Sequence, residues 1–400
     1  MKAKKIIGKA HLWLGLASGL VVFLVSITGC IYVFEQEINQ LLQTGVYRDV
    51  EPQKAPMLLP HELTEHITPL LDGEPIRMNA TLYPAGDRAS VIWVRGQDRQ
   101  YTAYLQNPYT GKVIHIMPYS INFWAIVLGI HTSLLIPEVG GDIVAAATLI
   151  FVVMLLSGLF LWFPASKKGY KQRFKIKWSA SPKRLTYDLH NVLGFYTLWV
   201  LIFVAITGLV WSYSWVEGAV YWVASGGQTT TTMSEEVHST FSPNATQTAP
   251  DVLHPVDQSF QTLARQYPEA REYFVNYPTD SVAPLYVRIH TEQGSFYNRH
   301  DGYQLDQYSG EVLQSIRWND RNGGEIVREA NYNIHTGAIL GLPGKVLAFF
   351  ASLIAASLPV TGTLLWWRSN RRSAIGRRAA RKKRKRIARS ARPPSEEVTS

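Results

Sequence analysis

Four runs of this 400-residue chain are longer and more apolar than a water-exposed fold accommodates: 12–34, 143–163, about 191–213 and 346–367. The first, LWLGLASGLVVFLVSITGCIYVF, carries no charge over 23 residues. As a helix it would reach about 35 Å, against a hydrocarbon layer of about 30 Å. It is long for the apolar part of a signal peptide, and no small-x-small cleavage site follows it. The expected fold class is therefore an α-helical membrane protein with four transmembrane helices and α+β extracytoplasmic domains, its first partner being a lipid bilayer.

The formal net charge of +10 would suit nucleic acid if it were spread over one surface, but it is sorted by topology. Lys2, Lys4, Lys5 and Lys9 precede the first run, 8 Lys or Arg against the single acid Asp188 fill 164–189, and 13 follow Trp367. The two long polar regions are acidic instead, with 11 acids against 7 bases in 35–141 and 15 against 7 in 214–344. The positive-inside rule puts the basic segments in the cytoplasm and the long regions outside, with no role for nucleic acid. The expected order is a cytoplasmic lead and first span over 1–34, an outer domain with an interfacial segment over 35–141, and a second span over 142–163. A basic loop over 164–189, a third span over 190–213 and a second outer domain with its interfacial segment over 214–344 follow. A fourth span over 345–367 and a basic cytoplasmic tail over 368–400 complete it. The tail has no apolar face and reads as disordered, held near anionic lipid. Cys30, the one cysteine, lies in the first run, so the outer regions have neither a disulfide nor a thiolate metal site.

The chain repeats itself. His11 and His190 each stand 4 residues before a glycine, Gly15 and Gly194, and 17 before a Thr-Gly pair, Thr28-Gly29 and Thr207-Gly208. His131-Thr132 and His335-Thr336 each precede a small-Gly pair, Ser157-Gly158 and Thr361-Gly362, with 27 residues from histidine to glycine in both. This reads as a tandem duplication. Each half of the outer sequence shows a short helix (61–71; 256–267) and strand-like stretches (76–83, 89–95, 100–106; 273–277, 285–290, 294–298). Each then carries an Asn/Asp-x-Tyr-Thr/Ser-Gly-x-Val turn, which reads as a β-turn whose glycine takes positive φ. Segments 119–136 and 325–342 read as short helices at the outer interface.

Two spans per unit put the pseudo-two-fold axis along the membrane normal, so repeated residues share a depth. His11 and His190 then make one level at the cytoplasmic side, and His131 and His335 another at the outer side. A histidine at a span end can be a plain interface residue, but retention at both repeated positions favours ligation. Two imidazoles across an axis can hold an iron porphyrin from both sides. Zinc fits less well, with two nitrogens per level and no nearby thiolate or repeated carboxylate. Trp13, Phe23, Phe195, Trp199, Phe349 and Phe350 offer an aromatic wall, and Gly15 and Gly194 would let a planar ring approach. The four small-Gly pairs read as helix-packing sites, Trp162, Trp366 and Trp367 as an interfacial belt. The other seven histidines (His61, His66, His115, His238, His254, His290 and His300) read as surface residues. No nucleotide-binding glycine loop, catalytic triad spacing or two-cysteine motif appears, so electrons would come from a membrane quinol or a separate donor.

From His11 to Trp367 the histidine positions, small-Gly pairs and Tyr-Thr/Ser-Gly-x-Val turns resemble the PepSY-associated transmembrane family of iron-regulated bacterial inner-membrane proteins. The resemblance implies four membrane helices with two periplasmic PepSY-like domains. It also implies, as in di-haem members, two b-type haems whose axial ligands are His11, His131, His190 and His335, and reduction of a ferric siderophore or other ferric chelate at the periplasmic face. PepSY domains elsewhere regulate peptidases, which keeps a non-redox regulator or chaperone of a periplasmic partner protein as the alternative. A permease is disfavoured, since the spans hold no buried acid or base able to couple transport. The acidic outer regions suit neutral or cationic chelates better than anionic ones. Tyr119, Phe123, Trp124 and Tyr332 are candidates for a docking surface at the outer entry.

Overall fold

The computed structural model describes residues 2–390 apart from 45, 47, 74, 98–99, 119–121, 165–169, 230–236, 241–252 and 292–298; from 371 on, backbone alone is described. The strand expected at 294–298, Tyr119 and most of the link at 226–250 fall outside these residues.

Among the described residues, four helices are long and apolar enough to cross a bilayer. They are centred on α1 (Lys2–Tyr32), α5 (Gly140–Trp162), α7 (Gly194–Ser212) and α11 (Gly341–Ser390). α1 continues almost directly into α2 (Glu35–Leu41). The segment between the first two membrane helices contains α3 (Pro60–Ile67) and α4 (Phe123–Ser133), and that between the last two contains α8 (Ser214–Ala224), α9 (Pro255–Gln266) and α10 (Gly323–Thr336). α6 (Pro182–Asp188) runs into α7 through a π-helical turn over Leu189–Leu193. α2 and α8 add to the expected elements: α2, EQEINQL, is polar and too short to show a clear period, whereas α8, SWVEGAVYWVA, is largely apolar and directly follows the third run. α11 does not stop at Trp367: its backbone stays helical to Ser390, which corrects the disordered reading for that part of the tail. Arg, Lys and Ala are strong helix formers, so the run needs no apolar face to propagate.

Eight strands form one antiparallel sheet in the order β4-β3-β2-β1-β5-β6-β7-β8. The first four are β1 (Arg77–Leu82), β2 (Ser90–Arg95), β3 (Tyr101–Gln106) and β4 (Val113–Pro118). The second four are β5 (Glu272–Asn276), β6 (Leu285–His290), β7 (Asp301–Leu305) and β8 (Val312–Ile316). The two groups of strands meet edge to edge, β1 pairing with β5 from Asn79↔Asn276 to Leu82↔Tyr273. Edge pairing satisfies two rows of backbone groups that separate sheets would leave open. α3 and α9 cover one face, where Leu63, Ile67, Val256 and Leu263 join the strands in the main core. The repeated turns close alike: Asn107 Oδ1 accepts from Tyr109 N at 2.9 Å and Asp306 Oδ1 from Tyr308 N at 2.9 Å. Gly111 and Gly310 follow at φ +68 and +74. These turns are structural, as their sequence suggests.

At the basic end, cations cap the last carbonyls of α5: Lys4 Nζ donates to Phe163 O and Arg173 to Trp162 O at 2.6 Å. Trp162 is not a lipid-facing belt residue; it is 3% exposed and stacks on Phe195 at 3.9 Å.

Candidate functional site

The four repeated histidines come together in two pairs. His11 and His190 have ring centroids 6.5 Å apart with planes at 90°, His131 and His335 6.0 Å apart at 74°. The first pair joins α1 to the π-helical turn before α7; the second joins α4 to α10. Two imidazoles sharing one metal, each at about 2 Å from nitrogen to metal, place their centroids about 6 Å apart.

Each ring is seated on a small-Gly pair of the other membrane helix in its own half. His11 rests on Ser157-Gly158 of α5, and His131 on Thr28-Gly29 of α1. His190 rests on Thr361-Gly362 of α11, and His335 on Thr207-Gly208 of α7. A Cβ at those glycines would stand 3.3, 3.1, 3.4 and 3.4 Å from the respective imidazole Cε1, closer than side chains ordinarily pack. The small-Gly pairs are thus seats for imidazoles, which corrects their reading as bare helix-packing sites.

The hydroxyls set the tautomer. Nδ1 lies 2.8 Å from Ser157 Oγ in His11 and 2.9 Å from Thr361 Oγ1 in His190. It lies 3.2 Å from Thr28 Oγ1 in His131 and 3.0 Å from Thr207 Oγ1 in His335. Every one of these hydroxyls already donates its proton to a carbonyl of its own helix, Met154, Ser357, Leu24 and Phe203 among them. It can therefore only accept from the imidazole. In the second pair the Val25 and Val204 carbonyls, each 2.9 Å from Nδ1, also accept. The carbonyl acceptors require Nδ1–H in His131 and His335, and the hydroxyls committed to their own helices assign the same tautomer to His11 and His190, which leaves the Nε2 lone pair free. Among the described residues no Nε2 has a hydrogen-bond partner. An imidazole whose outer nitrogen is tied down in this way is the usual form of a metal-ligating histidine.

Each pair opens on an apolar cavity. The one at His11 and His190, of about 350 Å³, is lined by Gly15, Gly194, Phe195, Trp162, Met154 and Pro359 among others. The one at His131 and His335, of about 580 Å³, includes Tyr32, Asp142, Phe151, Trp211 and Tyr332. Trp211 stands edge-on to His335 at 5.1 Å. Most of the aromatic wall expected from sequence lies elsewhere. Phe195 lines a cavity, but Trp13, Trp199 and Phe350 are more than half exposed on the outside of the bundle, and Phe349 packs on Phe34. The lipid-facing and inward-facing sides of a helix are equally apolar, so composition could not separate them. Gly15 and Gly194 do border the cavity, where Met154 Cε and Leu358 Cδ2 cover them. Of the docking candidates, Phe123 and Tyr332 are exposed, while Trp124 donates to Asn39 Oδ1 at 2.9 Å.

A haem fits this donor set. Among the described residues no three His, Cys, Asp or Glu side chains gather as a protein-built metal cage. Paired imidazoles about 6 Å apart beside apolar space suit a metal whose remaining ligands come from a flat organic ring.

The remaining histidines correct their surface reading in part. His300 is 2% exposed and takes a contact from Arg321 at 3.1 Å. His61 and His254 stack at 3.7 Å where α3 meets α9, so neither is a lone surface residue. They hold different positions on their helices, His254 capping α9 just before Pro255 and His61 following Pro60 inside α3.

No curated protein matches this chain. With four membrane helices, a separate antiparallel sheet and paired histidines, it matches over residues 9–369 the family described as the PepSY-associated TM region, and this multi-pass membrane protein belongs to that family.

Proposed function

We propose that the protein is a di-haem inner-membrane electron carrier that reduces ferric siderophore or another ferric chelate at the periplasmic face. The observation that carries this reading is the double pairing of imidazoles, each fixed through Nδ1 with its Nε2 turned to an apolar cavity. His11 and His190 would hold one haem and His131 and His335 the other, and a bound haem supplies reversible one-electron chemistry at iron. The chain's own residues do the rest. Ser157, Thr361, Thr28 and Thr207 keep the lone pairs directed, and the four glycines let the rings sit against the helices. The apolar walls exclude water, so a change of charge at the metal is weakly screened and its potential responds to the ligand shell.

In this reading the basic end faces the cytoplasm, and the sheet and the His131–His335 level face the periplasm. A quinol gives two electrons and two protons on becoming a quinone, enough for two ferric chelates. Each Fe(III) that takes one electron becomes Fe(II), which hard oxygen ligands hold less tightly.

The visible spectrum of detergent-purified protein tests the cofactor, with sharp reduced α-bands expected. A folded, colourless sample would end the proposal. In vesicles with an internal quinol-regenerating donor, impermeant ferric chelate added at the sheet side should reoxidise the haems and release Fe(II) there. Reoxidation from the basic side alone would reverse the direction, and none from either side would remove the reductase assignment. One observation favours a second reading, a non-redox regulator: edge strand β4 presents Ile114 and Ile116 at 46% and 44% exposure, open to strand addition by a protein partner.

A further inference from the structure

Each membrane helix passes from one cavity to the other near its middle. On α5 the residues from Gly141 to Phe151 border the outer cavity and those from Phe151 to Trp162 the inner. On α7 the change falls between Leu198 and Leu201, on α11 between Ala355 and Leu358. The wall between the cavities is the core of Leu155, Leu198, Leu201, Ala351 and Ala355, with Phe151, Leu159, Val200 and Ile202 packed on it. Among the described residues, Val22 and Phe151 alone border both cavities, and Phe151 is the wall's one aromatic ring.

The two halves differ here. Phe151 stands 7 residues before Gly158; 7 before Gly362 stands Ala355, 1% exposed. The position that offers a ring in one half offers a methyl in the other. Distance makes the difference matter. From His11 to Gly29, the seat of His131, α1 rises about 27 Å, while Phe151 lies about 10 Å along α5 from the seat of His11. Electron tunnelling falls off exponentially with the insulating gap, and a delocalised ring in contact with both cavities shortens that gap.

We infer that Phe151 couples the two histidine levels electronically, so that transfer between them follows the α1–α5 side of the bundle; this rests on the haem reading above. The step moves one electron: the inner centre is oxidised by one, the outer reduced by one, and no proton or bond changes hands.

The test uses the full-length holoprotein in nanodiscs, oxidised and then mixed rapidly with less than one equivalent of reduced quinol, following redistribution between the two α-bands. Phe151→Leu and Phe151→Met keep apolar bulk and remove the ring. Each should slow redistribution severalfold while haem content and both midpoint potentials stay at wild-type values. Phe151→Tyr should keep the wild-type rate, and Phe151→Leu with Ala355→Phe should recover part of it by placing a ring in the other half. A wild-type rate in the Leu and Met variants with both haems bound would overturn the inference. So would a slowing that merely tracks haem loss, since that marks a structural wall. Wild-type protein without haem would instead overturn the reading beneath it.

Discussion

The two histidine levels share a plan and differ in grip and room. His131 and His335 each give Nδ1–H to a backbone carbonyl as well as to a threonine hydroxyl, and face a cavity of about 580 Å³. His11 leans on Ser157 Oγ alone, while His190 also reaches the Leu358 carbonyl, and their cavity is about 350 Å³. The His131–His335 level thus combines firmly held imidazoles with spare space and an exposed Trp211 beside His335. The His11–His190 level is tighter, with Trp162 and Phe195 stacked in its wall. His190 sits in a π-helical turn, a local distortion frequent at functional positions.

Ligand removal should break the comparison most completely. His190→Ala is expected to lose the inner haem or turn it high-spin and leave the outer one, and His335→Ala to do the converse, by pyridine-haemochrome quantification. Unchanged haem content in His190→Ala would return that residue to a plain interface role.

Crowding the seats comes next. In a series of Gly→Ala variants, Gly29→Ala should disturb its level most, because its Cβ would stand 3.1 Å from His131, followed by Gly158→Ala at 3.3 Å. Gly208→Ala and Gly362→Ala, at 3.4 Å, should be milder. The measurement is the loss and broadening of the corresponding α-band; an inverted order would show that the seats do not position the rings.

The hydroxyl variants sharpen the contrast in grip. Ser157→Ala leaves the His11 Nδ1–H without its partner, an omission costing about 1–3 kcal/mol for a buried donor. It should weaken inner haem retention by about tenfold. Thr28→Val and Thr207→Val keep the carbonyl acceptors and should change retention less. Equal losses in haem-transfer assays would contradict the difference in grip.

The smallest effect separates the sheet from both levels. His254, against His61, is held at about 4 by desolvation and then by the charge of His61, while burial foremost lifts Asp257 to about 6. As pH falls from about 6.5 to about 4, His254 destabilises the fold because its folded form resists the proton. Asp257 stabilises it over nearly the same range because its folded form prefers the proton. Asp257→Asn should uncover the histidine's share as a steeper fall in sheet-domain melting temperature below pH 6.5, with haem bands unmoved. Parallel wild-type and variant profiles would show that the two groups are not opposed.

Much of this molecule is legible in the chain because the governing forces are local or periodic. Burying charge in hydrocarbon is so costly that the apolar runs mark all four membrane helices, although α1 begins at Lys2 and α11 continues to Ser390, well beyond their runs, and the strand at 285–290 follows from alternation. The histidine pairs follow from spacing plus symmetry: equal offsets in two halves imply equal depths. What spacing did not reveal was that the small-Gly pairs answer the histidines of the neighbouring helix. The 17 residues from His11 to Thr28 cover about 25 Å of helix, carrying that pair to the level of His131 and away from His11. Only tertiary packing decides which partner meets which ring, which apolar face turns inward, and that two groups of strands share one sheet. Those outcomes depend on contacts between residues far apart in the chain, where many arrangements bury similar area and steric fit at single atoms, such as a missing Cβ under an imidazole, selects among them.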